Sequence, residues 1–308
     1  MANVKIVVLM GGSSAEREIS LLTGAGVLKA LERLGIAAVA VDFDASFVER
    51  VARERPSAVF NALHGGAGEN GTVQAILDWL GIPYQGSGVR ASAAAMDKWL
   101  TKSLALAEGL PTPRGVVLRL EGAWPPPFPP VIGLPCVVKP IAEGSAVDVR
   151  IVRTKDQWPD AVRAAGRHDT RLLVEQYIEG REFTVAVLER EALPVVEITP
   201  HDEFYSYAAK YMPGGSTHTV PARIDAGLAR KMQALAVSLY GALGCRDYAR
   251  IDMMMNAAHE PFLLECNTLP GLTELSLFPD AARAAGLSYD ALVQRLVELA
   301  LSRGAAAA

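Results

Sequence analysis

Cysteine is scarce: the 308 residues hold 3, Cys136, Cys245 and Cys266, far apart, odd in number and each set in an apolar stretch. That pattern excludes a disulfide framework and lacks zinc spacing, so all three are expected as reduced core residues. Basic clusters are missing too. With a net charge of −4 and no run of lysine and arginine, the chain has no footprint for a phosphate backbone, which excludes nucleic acid and leaves small molecules as partners. No run approaches the ~18 consecutive apolar residues of a membrane helix. The start, Met1-Ala2-Asn3-Val4-Lys5, lacks the basic segment, long apolar centre and cleavage site of a signal peptide. No membrane association and a cytoplasmic location are therefore expected. No G-x-x-x-x-G-K-[ST] motif is present, and Gly11-Gly12-Ser13-Ser14 does not fit G-x-G-x-x-G, which excludes a P-loop as far as motifs reach. Internal repeats are absent.

What is present describes a folded enzyme-sized chain. Hydrophobic residues make up 50% and charged residues 21%, too apolar for disorder, and the length predicts two or three domains. An apolar strand at 4–10 breaks at the Gly11 loop, and Ile19, Leu22, Val27, Ala30, Leu31 and Leu34 follow at helical spacing. Buried-strand patterns at 36–43 and 58–63 and a helical one at 73–80 make residues 1–96 an open parallel α/β unit, whose ligands gather at the carboxyl ends of its strands. Residues 97–181 read as a small central α+β domain: a helix, then short β-like runs at 115–120, 136–139, 149–153 and 172–176. Between the first two of those runs, Pro125-Pro126-Pro127-Phe128-Pro129-Pro130 predicts an extended surface connection. Residues 182–308 form a third, α+β domain, with strands at 183–188 and 193–198, a helix at 228–243 and a hairpin at 248–267. The polar loop 200–221, with Tyr205, Tyr207, Lys210 and Tyr211, is long enough to be a lid.

The hairpin carries the sharpest chemical signal. Residues two apart on a strand share a face, so Arg250 pairs in orientation with Asp252, and Glu265 with Asn267. A single register with a four-residue turn at 257–260 sets Asp252 opposite Glu265 and Arg250 opposite Asn267. The other face then holds Ile251, Met253, Leu264 and Cys266. Opposed carboxylates destabilise a sheet unless a cation sits between them, and oxygen ligands of this kind suit Mg²⁺. Hydration of the same charges on a solvent-facing strand pair is the alternative.

Two lysines suggest an anion site. Lys139 ends an apolar strand, where an ammonium needs a partner, and Glu143-Gly144-Ser145-Ala146 follows as a loop that can bring backbone N–H groups to phosphate. Lys98, in Met96-Asp97-Lys98-Trp99, taken alone reads more readily as a solvated helix lysine. Glu16, at a helix start, can hold an amine or simply favour the helix dipole. His64 and Glu69, in a glycine-rich loop after a buried strand, are expected at the carboxyl-end cleft, with a purely structural His64 as the alternative.

Taken in order, these motifs resemble the D-alanine-D-alanine ligase family of the ATP-grasp superfamily over essentially the whole chain. They are Gly11-Gly12-Ser13-Ser14-Ala15-Glu16-Arg17-Glu18, His64-Gly65-Gly66-Ala67-Gly68-Glu69-Asn70-Gly71, Tyr84-Gln85-Gly86-Ser87-Gly88, Met96-Asp97-Lys98, Val138-Lys139-Pro140 with Glu143-Gly144-Ser145, Glu182-Phe183-Thr184-Val185, Ala209-Lys210-Tyr211, Ala249-Arg250-Ile251-Asp252 and Leu264-Glu265-Cys266-Asn267-Thr268-Leu269-Pro270-Gly271. The resemblance implies an ATP-grasp fold and ligation of two D-alanine molecules through an acyl phosphate for peptidoglycan precursor synthesis, by a homodimer. It implies ATP clamped between the central and C-terminal domains, with Lys98 and Lys139 on phosphates, Glu175 near the adenine amino group, Tyr177 and Ile178 in the nucleotide pocket, and Glu182 on the ribose. Two Mg²⁺, with Mn²⁺ as a substitute, would be held by Asp252, Glu265 and Asn267. Glu16 would bind the first ammonium in a network with Ser145 and Tyr211. His64, Lys210 and Ser276 would bind substrate, and Arg250 and the N–H of Gly271 would stabilise oxyanions.

One motif departs from the family. Its loop usually reads Glu-Gly-Ser-Ser-Val-Gly, whereas here Ala146 replaces a hydroxyl and Asp148 a glycine. Asp148 either repels phosphate or points away from it. A regulator that lost catalysis would not need Arg250 with the full metal set. A ligase making an L-dipeptide would not need the motifs at 13–18 and 64–71.

Overall fold

The computed structural model describes residues 4–122, 124–200, 215–274 and 276–306. Among them lie three sheets, each with its own helices. The first is a parallel sheet of β1 (Lys5–Met10), β2 (Ala37–Asp42) and β3 (Ala58–Asn61), in the order β2-β1-β3. The intervening helices are α1 (Arg17–Arg33) and α2 (Phe47–Glu54), with α3 (Thr72–Trp79) after β3. The apolar run of β1 is sheathed on both faces: Ile6, Val7, Val8 and Leu9 are buried, as a parallel strand between helix layers must be. α1 buries Ser20, Thr23, Gly24, Val27, Ala30 and Leu31, a helical stripe facing that sheet. Asp97 caps a later helix, accepting a hydrogen bond from Leu100 N at 2.9 Å, so that α4 (Val89–Met96) ends and α5 (Lys98–Ala107) begins within one residue.

The second sheet is antiparallel, in the order β4-β7-β5-β6: β4 (Gly115–Arg119), β5 (Cys136–Pro140), β6 (Arg150–Val152) and β7 (Arg171–Gln176). α6 (Trp158–Ala165) covers it through Trp158, Ala161, Val162 and Ala165. The proline-rich connection is pinned to this helix rather than lying wholly free on the surface. Pro126 O accepts a hydrogen bond from Trp158 Nε1 at 2.7 Å, and the Phe128 ring meets Trp158 edge-on at 5.0 Å.

The third sheet has six strands: β8 (Gly180–Leu188), β9 (Glu191–Ala192), β10 (Val196–Pro200), β11 (Ser216–Thr219), β12 (Tyr248–Asn256) and β13 (Pro261–Asn267). Its order is β11-β10-β8-β12-β13, with β9 on β8, and all its pairings are antiparallel. Phe183, Val185 and Val187 of β8 and Ile251, Met253 and Met255 of β12 point one way. They pack against α7 (Ala226–Ala242) and against α4 and α5, whose Ala91, Ala94, Ala95 and Ala105 join the same core. The last helices, α8 (Leu277–Ala284) and α9 (Tyr289–Ala306), return to the first sheet: Leu292, Val293, Leu296, Val297 and Ala300 share its core. Cys136, Cys245 and Cys266 are buried and free, as expected.

The expected hairpin register holds where the chemistry lies and fails beyond it. Arg250 faces Asn267 and Asp252 faces Glu265, but a bulge follows Asp252, so that Met253 faces Leu263. Leu264 is the extra residue. The expectation that Leu264 joins Ile251 and Cys266 on the core face is therefore corrected: Leu263 enters the core, while Leu264 lines the cleft beside Glu265.

Candidate active site

A cleft of about 360 Å³ lies between the second and third sheets, within the range of small-molecule pockets. The second sheet contributes Lys139 from β5 and Glu175 from β7, and Tyr177 and Ile178 follow in the connection to β8. The third sheet contributes Glu182, Asp252 and Glu265, and Lys98 reaches in from the first turn of α5. Alternation explains the third-sheet set: with Phe183, Ile251 and Met253 committed to the core, their neighbours Glu182, Asp252 and Met254 must face the cleft.

On the hairpin wall, Arg250 lies along Asp252, with Nε 2.9 Å from Oδ1 and Nη2 2.8 Å from Oδ2. Asn267 Nδ2 donates to Asp252 Oδ2 at 3.1 Å, and Thr184 Oγ1 donates to Oδ1 at 2.6 Å. Glu265 Oε2 is 3.9 Å from Lys98 Nζ, and that lysine is mostly buried. The solvated-lysine reading of Lys98 is thus corrected: its ammonium donates to Glu143 O in the small-residue loop. Among the described residues no group of three His, Cys, Asp or Glu side chains gathers as a metal cluster. The set that fits a hard cation is two carboxylates and an amide on one face, with oxygen donors suited to Mg²⁺ and positions left for phosphate oxygens.

On the opposite wall Glu175 is 2% exposed and stands between two lysines. Its Oε1 pairs with Lys139 Nζ, and its Oε2 lies 2.9 Å from Lys102 Nζ. Burial alone would raise the Glu175 carboxyl, yet Lys139 and Lys102 outweigh it and hold the group below its ordinary value. Burial pulls the Lys102 ammonium down, against the pull of Glu175.

A second compartment adjoins the Glu143 loop. Glu16 occupies the position before α1, and its side chain makes no capping bond, which disfavours the dipole-only reading. Its carboxylate instead accepts a hydrogen bond from Ser145 Oγ. Gly65, at a φ of +66°, lets the two loops close: a Cβ there would stand 2.5 Å from Glu16 Oε2. Ser14 Oγ donates to His64 O at 2.6 Å. His64 itself is 5% exposed, with Nε2 2.9 Å from Thr23 Oγ1 and Nδ1 3.7 Å from Glu69 Oε1. Gly271 sits by both Ser276 and His64, since a Cβ on it would be 3.1 Å from Ser276 Oγ and 4.0 Å from His64 Cε1. Lys210 and Tyr211, with Tyr205 and Tyr207, lie outside the described residues.

The departing loop turns Asp148 away from the cleft. Its carboxylate accepts from Arg150 Nη2 at 2.7 Å and lies 2.8 Å from His168 Nε2, while Ala146, Val147 and Val149 line the cleft. Ser145, Ala146 and Asp148 have φ of +49°, +57° and +46°, so the backbone adopts there the conformation a glycine would hold without strain.

Two site residues carry no role in the sequence reading. Thr184 lies within the Glu182-Phe183-Thr184-Val185 motif and shares a strand face with Glu182, and Lys102, outside every motif named above, falls one helical turn after Lys98; both spacings are readable, but neither residue type is distinctive.

Comparison with known proteins agrees with this geometry. A family model described as the D-ala D-ala ligase C-terminus matches residues 108–298, and one described as the D-ala D-ala ligase N-terminus matches residues 44–87. The D-alanine-D-alanine ligase of Pelotomaculum thermopropionicum is 44% identical, over 97% of this chain and 97% of its own. That of Moorella thermoacetica is 43% identical, over 97% and 99%. The crystal structure of the Bacillus anthracis D-alanine-D-alanine ligase complexed with ATP superposes with a TM-score of 0.87 at 32% identity, covering 99% of this chain and 100% of that one. The expected ATP-grasp architecture is that of these solved ligases, and the chain belongs to the D-alanine-D-alanine ligase family.

Proposed function

We propose that this chain uses ATP to join two D-alanine molecules into D-alanyl-D-alanine, supplying a cytoplasmic step of peptidoglycan precursor synthesis as a homodimer. The observation that carries the reading is the arrangement of the cleft: Lys139 on the second sheet faces a carboxylate hairpin at Asp252 and Glu265, Lys98 reaches in from α5 beside Glu265, and the Glu16–Ser145 compartment adjoins them. ATP bound to the relative from Bacillus anthracis fits the same reading. In it, Lys98 and Lys139 hold phosphates, Tyr177 and Ile178 flank the base near Glu175, and Glu182 takes the ribose. Glu16 receives the first ammonium, with Ser145 and Tyr211 ordering it. His64, Lys210 and Ser276 orient the second substrate.

The first substrate's carboxylate attacks the γ-phosphorus, releasing ADP and forming an acyl phosphate. The second amine then attacks the acyl carbon, and the tetrahedral intermediate expels phosphate. Negative charge grows on phosphoryl and carbonyl oxygens in both steps, so the useful protein groups are fixed cations and donors: Lys98, Lys139, Arg250 and Gly271 N. Asp252, Glu265 and Asn267 would hold Mg²⁺, which neutralises phosphate charge when bound. Of the lid expected at 200–221, Ser216–Thr219 is strand β11 on β10, and the exclusion of water is assigned to the residues at 201–214, which lie outside the described ones.

The deciding experiment is phosphate release from ATP with a panel of D- and L-amino acids, with dipeptide identified by mass. Release that requires D-alanine and Mg²⁺ is expected. Equal release with L-alanine, or none with D-alanine, would overturn the reading.

A further inference from the structure

Lys102 is a buried charged side chain that the reaction above does not use. It is 2% exposed, in the middle of α5, where an ammonium is costly without full pairing. Its Nζ donates to Thr112 Oγ1 and to Pro113 O, at 2.7 Å each, and lies 2.9 Å from Glu175 Oε2. Glu175 pairs on its other side with Lys139, which lines the cleft. Thr112 continues the connection by donating to Leu263 O at 2.9 Å, on the core side of the bulge that turns Leu264 and Glu265 to the cleft.

The charge count of this row decides its effect. Glu175 with Lys139 alone is neutral; adding Lys102 behind it leaves one surplus positive charge, and the member open to the cleft is Lys139. We propose that Lys102 is a positioning residue for ATP: it neutralises Glu175 from the protein side, leaving the positive charge of Lys139 for the phosphates, and ties that charge to the hairpin through Thr112. The proposal rests on the reading of the cleft as the ATP site. It assigns Lys102 no contact with ATP.

The full chain tests it, with wild type and Lys102→Met compared for ATP and for adenosine, which shares the base and ribose but has no phosphate. Both Kd values are measured by calorimetry, and KM and kcat by phosphate release. Lys102→Met is expected to weaken ATP roughly tenfold, the size for one unit charge ~10 Å from a phosphate at an effective dielectric of ~20. Its adenosine Kd and its kcat should each change less than about threefold. A structural role alone weakens adenosine as much as ATP, and that result would overturn the proposal. So would wild-type Kd and KM for ATP in Lys102→Met. If Lys102→Met fails to fold, Lys102→Gln, which keeps a donor for Thr112 and Pro113 but not the charge, decides by the same ratio: a loss confined to ATP supports the proposal, and an equal loss of both ligands ends it. Absence of ATP binding by the wild type would instead remove the reading of the cleft.

Discussion

The two walls of the cleft are built from similar side chains in opposite proportion. Lys139, Glu175 and Lys102 set two cations on one anion, whereas Arg250, Asp252 and Glu265 set one cation against two anions, with Lys98 coming within 3.9 Å of Glu265 from α5. The difference teaches that an ion cluster can be read by its remainder: the first keeps a surplus positive charge within its own sheet, and the second balances its carboxylates only by drawing on a lysine from another element. In the function proposed above, a magnesium nucleotide would meet both. Neither cluster is a stability device first, because buried pairs gain little over apolar packing and fail badly when one member is lost.

The comparison breaks most visibly on the hairpin. Asp252→Asn or Glu265→Gln removes a charge that the proposed function gives to the metal, and on that proposal turnover is expected to fall by roughly 100-fold or more, in the range seen when transition-state charge loses a stabiliser. Melting temperature should change little, and the loss should deepen at limiting Mg²⁺. Near wild-type turnover at limiting Mg²⁺ would remove Asp252 and Glu265 as metal ligands.

A smaller effect is expected in the loop between β5 and β6. Because Asp148 already turns toward Arg150 and His168, the double change Ala146→Ser and Asp148→Gly should relieve a strained φ worth about 1 kcal/mol and leave ATP binding unchanged or a few-fold tighter. A tenfold weaker ATP Kd in that variant would mean the Asp148 clamp shapes the loop.

The smallest effect lies outside both walls, at Arg17 and Asp42. The guanidinium of Arg17 lowers the Asp42 carboxyl from its ordinary value to about 2, burial opposing and Gly12 N assisting. A folded-state pKa below the unfolded one stabilises above about pH 4 and is lost as pH falls toward 2. Since both side chains are more than a third exposed, solvent screens the pair. The difference in urea midpoint between wild type and Asp42→Asn should be slight at pH 7 and shrink below pH 4; a difference that grows on acidification would contradict the assignment.

Much of this was legible beforehand because period and punctuation are local. The Gly11 loop between β1 and α1 and the first-sheet strands follow from alternation and turn position alone, whereas Asp252 meets Glu265 as expected because the bulge makes up for a hairpin end one residue tighter than expected, with Met255 facing Pro261. What was not legible depended on the third dimension. The bulge at Leu264 violates the period that placed its neighbours, and a single-residue slip leaves no trace in an apolar run. Lys102 reads as an ordinary helix lysine until β7 brings Glu175 to it. The direction of Asp148 depends on Arg150 and on His168, twenty positions away.

The return of α9 to the first sheet governs how the molecule can be assembled. Arg33 and Asp290, 257 positions apart, meet across α1 and α9, and Arg303 grips Asp247 at 2.8 Å. While the chain is being synthesised, β3 and α1 therefore emerge long before the helix that covers their shared core, and Leu292, Leu296 and Val297 arrive as its last pieces. The amino-terminal unit can gather its own strands early, but it cannot close as an independent domain, so its completion waits for the rest of the polypeptide.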